Sequence, residues 1–154
     1  MTRALRTLVV AALAACGTDA SPGEPPLFPE NYAATYQEVR DCRHSLEHDL
    51  MRVRILASPD AVTPYTGRGQ PFPTGSIILK EQYDGGDTDC TGPILSYTVM
   101  QKLEDGASPE TLGWTWQEVG EDRKIIDSPT ASCVQCHRAC GQAPDGFDGT
   151  CSLP

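Results

Sequence analysis

Residues 71–87, PFPTGSIILKEQYDGGD, place a segment rich in β-branched side chains between two turn sequences. The first turn, at residues 71–75, contains two prolines and a glycine, and the second, at residues 84–87, contains two glycines between aspartates. Gly, Pro and Asp favour turns, whereas β-branched residues favour strands. The pattern therefore predicts a strand at residues 75–83.

Further strands are predicted on both sides of this segment. They are expected at residues 50–57, 93–103 and 112–119. In the first of them, Met51, Val53 and Ile55 alternate with arginines, which is typical of a strand with one buried face. In the other two, large side chains recur at two-residue spacing, which indicates the same structure.

Two helices complete the predicted fold. Asn31 can cap a helix at residues 32–43, and a short helix fits residues 59–65, where a proline occupies the allowed first turn. The sequence shows no internal repeat. We therefore expect an α+β fold in which a single, mostly antiparallel sheet carries a few packed helices and a C-terminal segment.

The N-terminus has the composition of an export signal. Two arginines precede an apolar stretch that is too short to span a bilayer, and Leu13-Ala14-Ala15-Cys16 matches a bacterial lipobox. We expect residues 1–15 to be a lipoprotein signal peptide and Cys16 to carry the lipid; an ordinary secretory signal with an incidental cysteine is the alternative. Proline-rich residues 16–29 would form a flexible tether, followed by one domain at residues 30–154.

The charge of the chain excludes one class of partner. Removal of residues 1–15 would leave 10 basic against 21 acidic residues, a formal charge of −11. Nucleic acids bind to basic surfaces, so a nucleic-acid partner is not expected.

A Cys133-Val134-Gln135-Cys136-His137 motif near the C-terminus predicts covalently attached haem c. Two cysteines three residues apart lie on one side of a helical turn and can form both thioethers, and His137 would be the proximal ligand to the iron. The opposite side of the haem decides the function. Candidates for a sixth ligand are Met51, Met100, His44 and His48, and the sequence does not choose among them.

Four cysteines remain for disulfides in an exported chain. They are Cys42, Cys90, Cys140 and Cys151. Three pairings are open, and we favour Cys42 with Cys90 and Cys140 with Cys151, because the second pair would close a short glycine-rich tail beside the haem. A Cys/His zinc site is the competing interpretation, but it needs thiolates that an oxidising compartment does not preserve.

Several segments resemble the cytochrome P-460 family, whose other branch is cytochrome c-prime-beta. The strongest match is Phe72-Pro73-Thr74-Gly75-Ser76-Ile77-Ile78-Leu79-Lys80-Glu81, and the opening Phe28-Pro29-Glu30-Asn31-Tyr32, the Gly113-Trp114 strand and the late haem motif are also similar. The resemblance implies a mono-haem c-type protein with an open iron that oxidises hydroxylamine or binds nitric oxide. It also implies that a lysine on this strand, here Lys80, is bonded to the haem.

The resemblance suggests further site residues. Arg54 falls where the family has an arginine that could donate hydrogen bonds to an iron-bound ligand, Phe72 could cover the distal side, and Glu104 or Asp105 would be the proton-transferring carboxylate by position. The residues alone allow ordinary alternatives: a solvent-facing strand Lys80 or Arg54, a core Phe72 and a surface carboxylate at a turn.

Three functions remain open on the sequence. The chain could be a membrane-tethered hydroxylamine-oxidising enzyme, a gas-binding haem protein without turnover, or an electron-transfer cytochrome with His48 or a methionine as sixth ligand. Expected partners are a nitrogen-oxide or hydroxylamine-type ligand, a redox protein, the membrane through the lipid anchor, and a second copy of the chain. The expected location is the bacterial cell envelope, facing the periplasm or at the outer membrane.

Overall fold

The structure, a computed structural model, describes residues 23–46, 48, 50–128 and 131–151. The predicted signal peptide, the lipidation site Cys16 and the first part of the tether lie outside these residues. Within the described part of the chain, none of the helices has the length and apolar character needed to cross a membrane.

Six strands form one antiparallel sheet in which each strand pairs with the next along the chain. They are Gln37–His44 (β1), Arg52–Ala57 (β2), Ile77–Tyr83 (β3), Ser96–Lys102 (β4), Trp114–Gly120 (β5) and Ile125–Asp127 (β6). The helices are Tyr32–Thr35 (α1), Val62–Gly67 (α2) and Ala131–Cys140 (α3), with a 3₁₀ turn at Pro109–Thr111. The α+β prediction is therefore confirmed.

The prediction of a helix at residues 32–43 is wrong beyond Thr35. Residues Gln37–His44 form the edge strand β1, which pairs with β2 through two register shifts, and Cys42 of this strand is bonded to Cys90. The backbone groups of this polar segment form hydrogen bonds with β2. These tertiary interactions outweigh the local preference for a helix, so the segment is a strand. The short strand β6 was not predicted. The other predicted strands correspond to β2–β5, and the second helix begins at Val62 instead of residue 59.

Alternation along the strands divides the core into two layers. On the front face of the sheet, the buried cluster consists of Ile55, Ala57, Ala61, Tyr65, Phe72, Ile78, Met100, Trp114 and Trp116. On the back face, the cluster consists of Phe28, Tyr32, Leu56, Ile77, Leu79, Tyr97, Val99 and Val119. Consecutive residues of β3 consequently belong to opposite layers, and Lys80 and Glu81 face opposite sides of the sheet.

The C-terminal segment, α3 with residues 141–151, folds over the front face. The indole nitrogen of Trp114 donates a hydrogen bond to the Asp148 carbonyl at 2.9 Å, and Lys102 Nζ lies 2.7 Å from the Asp148 carboxylate. A disulfide between Cys140 and Cys151 joins the last residue of α3 to the end of this segment. Gly149 has a φ of +82°, and a Cβ there would lie 2.9 Å from the Trp114 indole nitrogen, so the close approach requires glycine.

Candidate functional site

A partly open cavity lies between the front face of the sheet and the C-terminal segment. Its walls are mostly apolar, with a few nitrogen, oxygen and sulfur atoms at fixed places, as is usual for a cofactor site. The lining residues used below are His48, Ile55, Tyr65, Lys80, Thr98, Met100, Trp116, Cys133 and His137.

His137 is presented to the cavity by α3 in a fixed orientation. Its Nδ1 lies 2.5 Å from the Gly149 carbonyl, and its ring packs edge-on against Trp116 with 4.4 Å between ring centroids. Because a carbonyl oxygen only accepts, Nδ1 carries the proton and Nε2 keeps its lone pair for a metal. Burial, helped by the charge of Lys80, lowers the pKa of His137 to about 4 although the Gly149 carbonyl opposes the shift. The imidazole is therefore neutral at pH 7, as a metal ligand must be.

Neither cysteine of the motif takes part in a disulfide in the described chain. Cys133 lines the cavity, and Cys136 is exposed three residues later on the same helix. The other described cysteines form the pairs Cys42–Cys90 and Cys140–Cys151, the two pairs that the sequence favoured. The second pair holds Gly149 close to α3, and with it the carbonyl that orients His137.

Lys80 and His48 form a polar pair inside the cavity. Lys80 Nζ lies 2.7 Å from His48 Nε2. Burial and the neighbouring charge of Lys80 lower the pKa of His48 to about 3, with a smaller effect from His137. A neutral imidazole at this position accepts a hydrogen bond from the Lys80 ammonium group. The structure thus places Lys80 in the cavity and not on a solvent-facing strand surface.

Two of the four candidate sixth ligands line the cavity, and two do not. His48 and Met100 line the cavity, and Met100 is buried in the front-face cluster. His44 is exposed, and its Nε2 lies 3.1 Å from the Gly85 carbonyl. Met51 precedes β2 and is not a lining residue.

Arg54 does not lie where its expected role requires. Its side chain is on the back face, where Nε lies 2.7 Å from Glu81 Oε2 and Nη2 lies 2.8 Å from the Tyr83 hydroxyl. The expectation that Arg54 contacts an iron-bound ligand is therefore corrected, because strand alternation turns this guanidinium to the opposite side of the sheet from the cavity.

The expected roles of Phe72, Glu104 and Asp105 are also not supported. Phe72 is buried in the core, edge-on to Trp114 with 5.2 Å between ring centroids, and is not a lining residue. Glu104 and Asp105 are exposed in the turn after β4 and are not lining residues. Among the described residues that line the cavity, there is no aspartate or glutamate.

Sequence reasoning missed the two aromatic residues of the wall, Trp116 and Tyr65. Trp116 is 5% exposed, and its indole nitrogen has no hydrogen-bond partner in the described structure. The spacing of Trp114 and Trp116 indicated a shared face, but it did not indicate the contact of Trp116 with His137. Tyr65 reaches the cavity from α2, because Tyr65 is buried between that helix and the sheet.

These residues fit a covalently bound haem. The cavity joins an apolar wall, a thiol of the motif, a neutral imidazole with a free Nε2 and an indole donor without an acceptor. Buried donors are usually satisfied, so the free indole N–H is consistent with a group that the cavity is built to hold.

Comparison with known proteins gives the same assignment. A search of curated proteins found no match. A family model described as Cytochrome P460 matches residues 29–145, which is most of the chain. The chain therefore belongs to the cytochrome P460 family, whose members are haem proteins of the hydroxylamine-oxidising or gas-binding kind.

Proposed function

We propose that this chain is an exported, lipid-anchored mono-haem c-type cytochrome that oxidises hydroxylamine or binds nitric oxide at an open iron site. The observation that carries the proposal is the presence of Lys80 in the same cavity as His137, beside a neutral His48. Cys133 and Cys136 would form the thioethers, and His137 would be the proximal ligand. When bound, the haem supplies an iron that can accept electrons and bind a small nitrogen compound.

Proton transfer at this site is assigned to His48 and Lys80. Oxidation of hydroxylamine releases protons as well as electrons, so a titratable group is needed close to the substrate. The described lining residues include no carboxylate, and His137 is used as the ligand. The 2.7 Å contact between His48 and Lys80 gives a proton a path between the two nitrogens. This pair replaces Glu104 and Asp105 in the proposal.

A second function is favoured by His48 itself. An imidazole that lines the cavity can also act as a sixth ligand, which would make the protein an electron carrier with a closed iron. The two functions differ in whether His48 binds the iron or contacts only Lys80. A gas-binding protein without turnover would share the open iron of the first function but leave Lys80 unbonded to the haem.

Carbon monoxide distinguishes an open from a closed iron. The holoprotein, produced in a host competent in cytochrome c maturation, is reduced and mixed with carbon monoxide at neutral pH. Prompt binding supports the first function. Slow or absent binding in the wild type, together with prompt binding in His48→Ala, would support the electron carrier instead.

Hydroxylamine and the Lys80→Ala variant test the enzymatic part. We expect hydroxylamine to reduce the ferric wild-type protein, and we expect Lys80→Ala to change the ferrous absorption spectrum. Lys124→Ala is the matched control, because Lys124 is exposed and paired with Asp122. No reduction by hydroxylamine, with prompt carbon monoxide binding, would leave a gas-binding protein. An unchanged spectrum in Lys80→Ala would exclude the bond between Lys80 and the haem.

Attachment and anchoring have separate tests. The intact mass of the denatured protein should exceed the mass of the chain by one haem, and Cys136→Ser should lose one thioether. Cys16→Ser should release the protein from the membrane fraction while its haem content is unchanged. Membrane association that survives Cys16→Ser would contradict the lipid anchor.

A further inference from the structure

Arg40, a basic residue without a carboxylate partner among the described residues, lies at the edge of the cavity. Arg40 of β1 is paired directly with Ile55 of β2, and Ile55 lines the cavity. Paired residues of neighbouring antiparallel strands point to the same face, so Arg40 belongs to the front face. Its half-buried side chain also interacts with the hydroxyl of Tyr65, another lining residue.

The surroundings of Arg40 lack a balancing negative charge. Among the described residues, no carboxylate lies within salt-bridge distance of Arg40, and its Nε is buried without a hydrogen-bond partner. Burial and the like charge of Arg43 lower the pKa of Arg40, and the Tyr65 hydroxyl opposes the shift only partly. A partly buried guanidinium that has no carboxylate partner is stabilised when an anion binds to it.

Some other basic residues have a carboxylate partner. Arg43 is paired with Asp41, Arg54 with Glu81 and Lys102 with Asp148. The chain has 21 acidic residues, so an unpaired arginine at the cavity edge is not explained by a shortage of carboxylates.

We propose that Arg40, supported by Tyr65, binds a propionate carboxylate of the haem. The inference rests on the proposed function, because it requires haem in the cavity. Haem carries ionised propionates on its edge, and a guanidinium with a neighbouring hydroxyl presents several donors to one carboxylate. Arg40 is thus a cofactor-positioning residue that also places a positive charge close to the iron.

The charge has a measurable consequence. A cation beside the haem stabilises the ferrous form, which carries one positive charge less on the iron, relative to the ferric form. Removal of the cation should therefore make reduction less favourable. We expect Arg40→Gln to lower the equilibrium constant for haem reduction about tenfold, which corresponds to about 59 mV for one electron.

Arg43→Gln is the matched control. It removes the same charge from the same strand, but Arg43 is paired with Asp41. We expect it to change the equilibrium constant by less than about twofold, because the Asp41 carboxylate already offsets the charge of Arg43 at a distance. Arg40→Lys should retain most of the equilibrium constant, since the charge stays while the two-pronged contact is lost.

The experiment compares the four holoproteins by equilibrium redox titration and by the propionate bending band in resonance Raman spectra. The expected result is a lower potential and a shifted band in Arg40→Gln, and neither change in Arg43→Gln. Equal effects of the two glutamine variants, or an unshifted band in Arg40→Gln, would overturn the inference. If Arg40→Gln does not fold, an unshifted band in both Arg40→Lys and Tyr65→Phe overturns it.

Failure of the proposed function gives a different result. Wild-type protein without covalent haem by mass would remove both proposals. If the wild-type protein has covalent haem, but Arg40→Gln and Arg43→Gln have the same potential and the same Raman band, only the Arg40 inference is removed. A bound substrate carboxylate in place of the propionate would leave the Raman band unshifted and is distinguished in the same spectra.

Discussion

Lys80 and Glu81 are neighbours in β3, but their charged side chains lie on opposite faces of the sheet in different surroundings. Glu81 is 1% exposed, and its oxygens accept hydrogen bonds from Arg54, Tyr32 and Tyr83 at 2.7, 2.8 and 2.6 Å. Lys80 faces a cavity and contacts the neutral His48. The buried Glu81 carboxylate is surrounded by three donors, whereas the Lys80 ammonium group lies in a cavity beside a neutral imidazole.

This difference teaches how one sheet can serve both stability and chemistry. A buried carboxylate with three donors has one stable arrangement, because each donor would be left unpaired by a change of rotamer. The cavity wall contains Trp116, whose indole nitrogen has no hydrogen-bond partner among the described residues and is left for a ligand. Strand alternation keeps the two environments separate although adjacent residues build them.

The largest predicted effect comes from the back face. Glu81→Ala leaves the Arg54 guanidinium without its buried partner, and we expect a loss of about 3–5 kcal/mol in the free energy of unfolding. Denaturant unfolding of the holoprotein would measure this loss, and the haem spectrum of the folded fraction should be unchanged.

Lys80→Ala is the control for this prediction, one residue away on the front face. We expect it to change the free energy of unfolding by less than about 1 kcal/mol while the ferrous spectrum changes. If Glu81→Ala altered the spectrum as strongly as Lys80→Ala does, the two faces would not be independent.

The two disulfides also differ, because only Cys140–Cys151 lies in the C-terminal segment that carries His137. Cys140 and Cys151 are 11 residues apart, and loop-closure entropy gives their bond a contribution of about 3 kcal/mol to the free energy of unfolding. The Cys140→Ser/Cys151→Ser variant should lose this amount, and it should also change the reduction potential because the Gly149 carbonyl is held less firmly against His137.

Cys42 and Cys90 provide the matched comparison. Their separation of 48 residues gives a contribution of about 4 kcal/mol by the same loop-closure argument. The Cys42→Ser/Cys90→Ser variant should therefore be the less stable of the two but should keep the wild-type potential. Equal potentials in both variants would show that the C-terminal disulfide does not position His137.

Much of the fold was accessible from local patterns. β3 lies between two turn sequences, and the large side chains of β4 and β5 alternate, so their positions followed from sequence alone. β1 did not, because its side chains are mostly polar and its exposed and half-buried positions follow no strict alternation. An edge strand of this kind is defined by its partner β2 and by the Cys42–Cys90 bond, which are tertiary interactions.

The candidate site was accessible only in part. The motif located one side of the cavity, because Cys133 and His137 are close in sequence and both line it. The placement of Arg54 was wrong because a resemblance by position does not say which face of the strand a side chain occupies. His48 could be named as a candidate, but its contact with Lys80 joins residues 32 positions apart and needed the fold.

The smallest predicted effect comes from removing the hydroxyl groups of two tyrosines on the back face. Tyr32 donates to Glu81 at 2.8 Å, whereas Tyr97 reaches only the Tyr32 hydroxyl at 3.4 Å. A hydrogen bond to a buried charge contributes more than a long one between neutral groups, so we expect Tyr32→Phe to cost about 1.5–3 kcal/mol and Tyr97→Phe less than about 1.5 kcal/mol. Both costs are measured by denaturant unfolding.

Because Phe keeps the ring contacts of Tyr32 with Phe28 and Tyr97, the difference between the two costs reports on the hydroxyl groups. Equal costs would mean that the Glu81 carboxylate is satisfied by Arg54 and Tyr83 alone, and that the tyrosine of α1 contributes by packing.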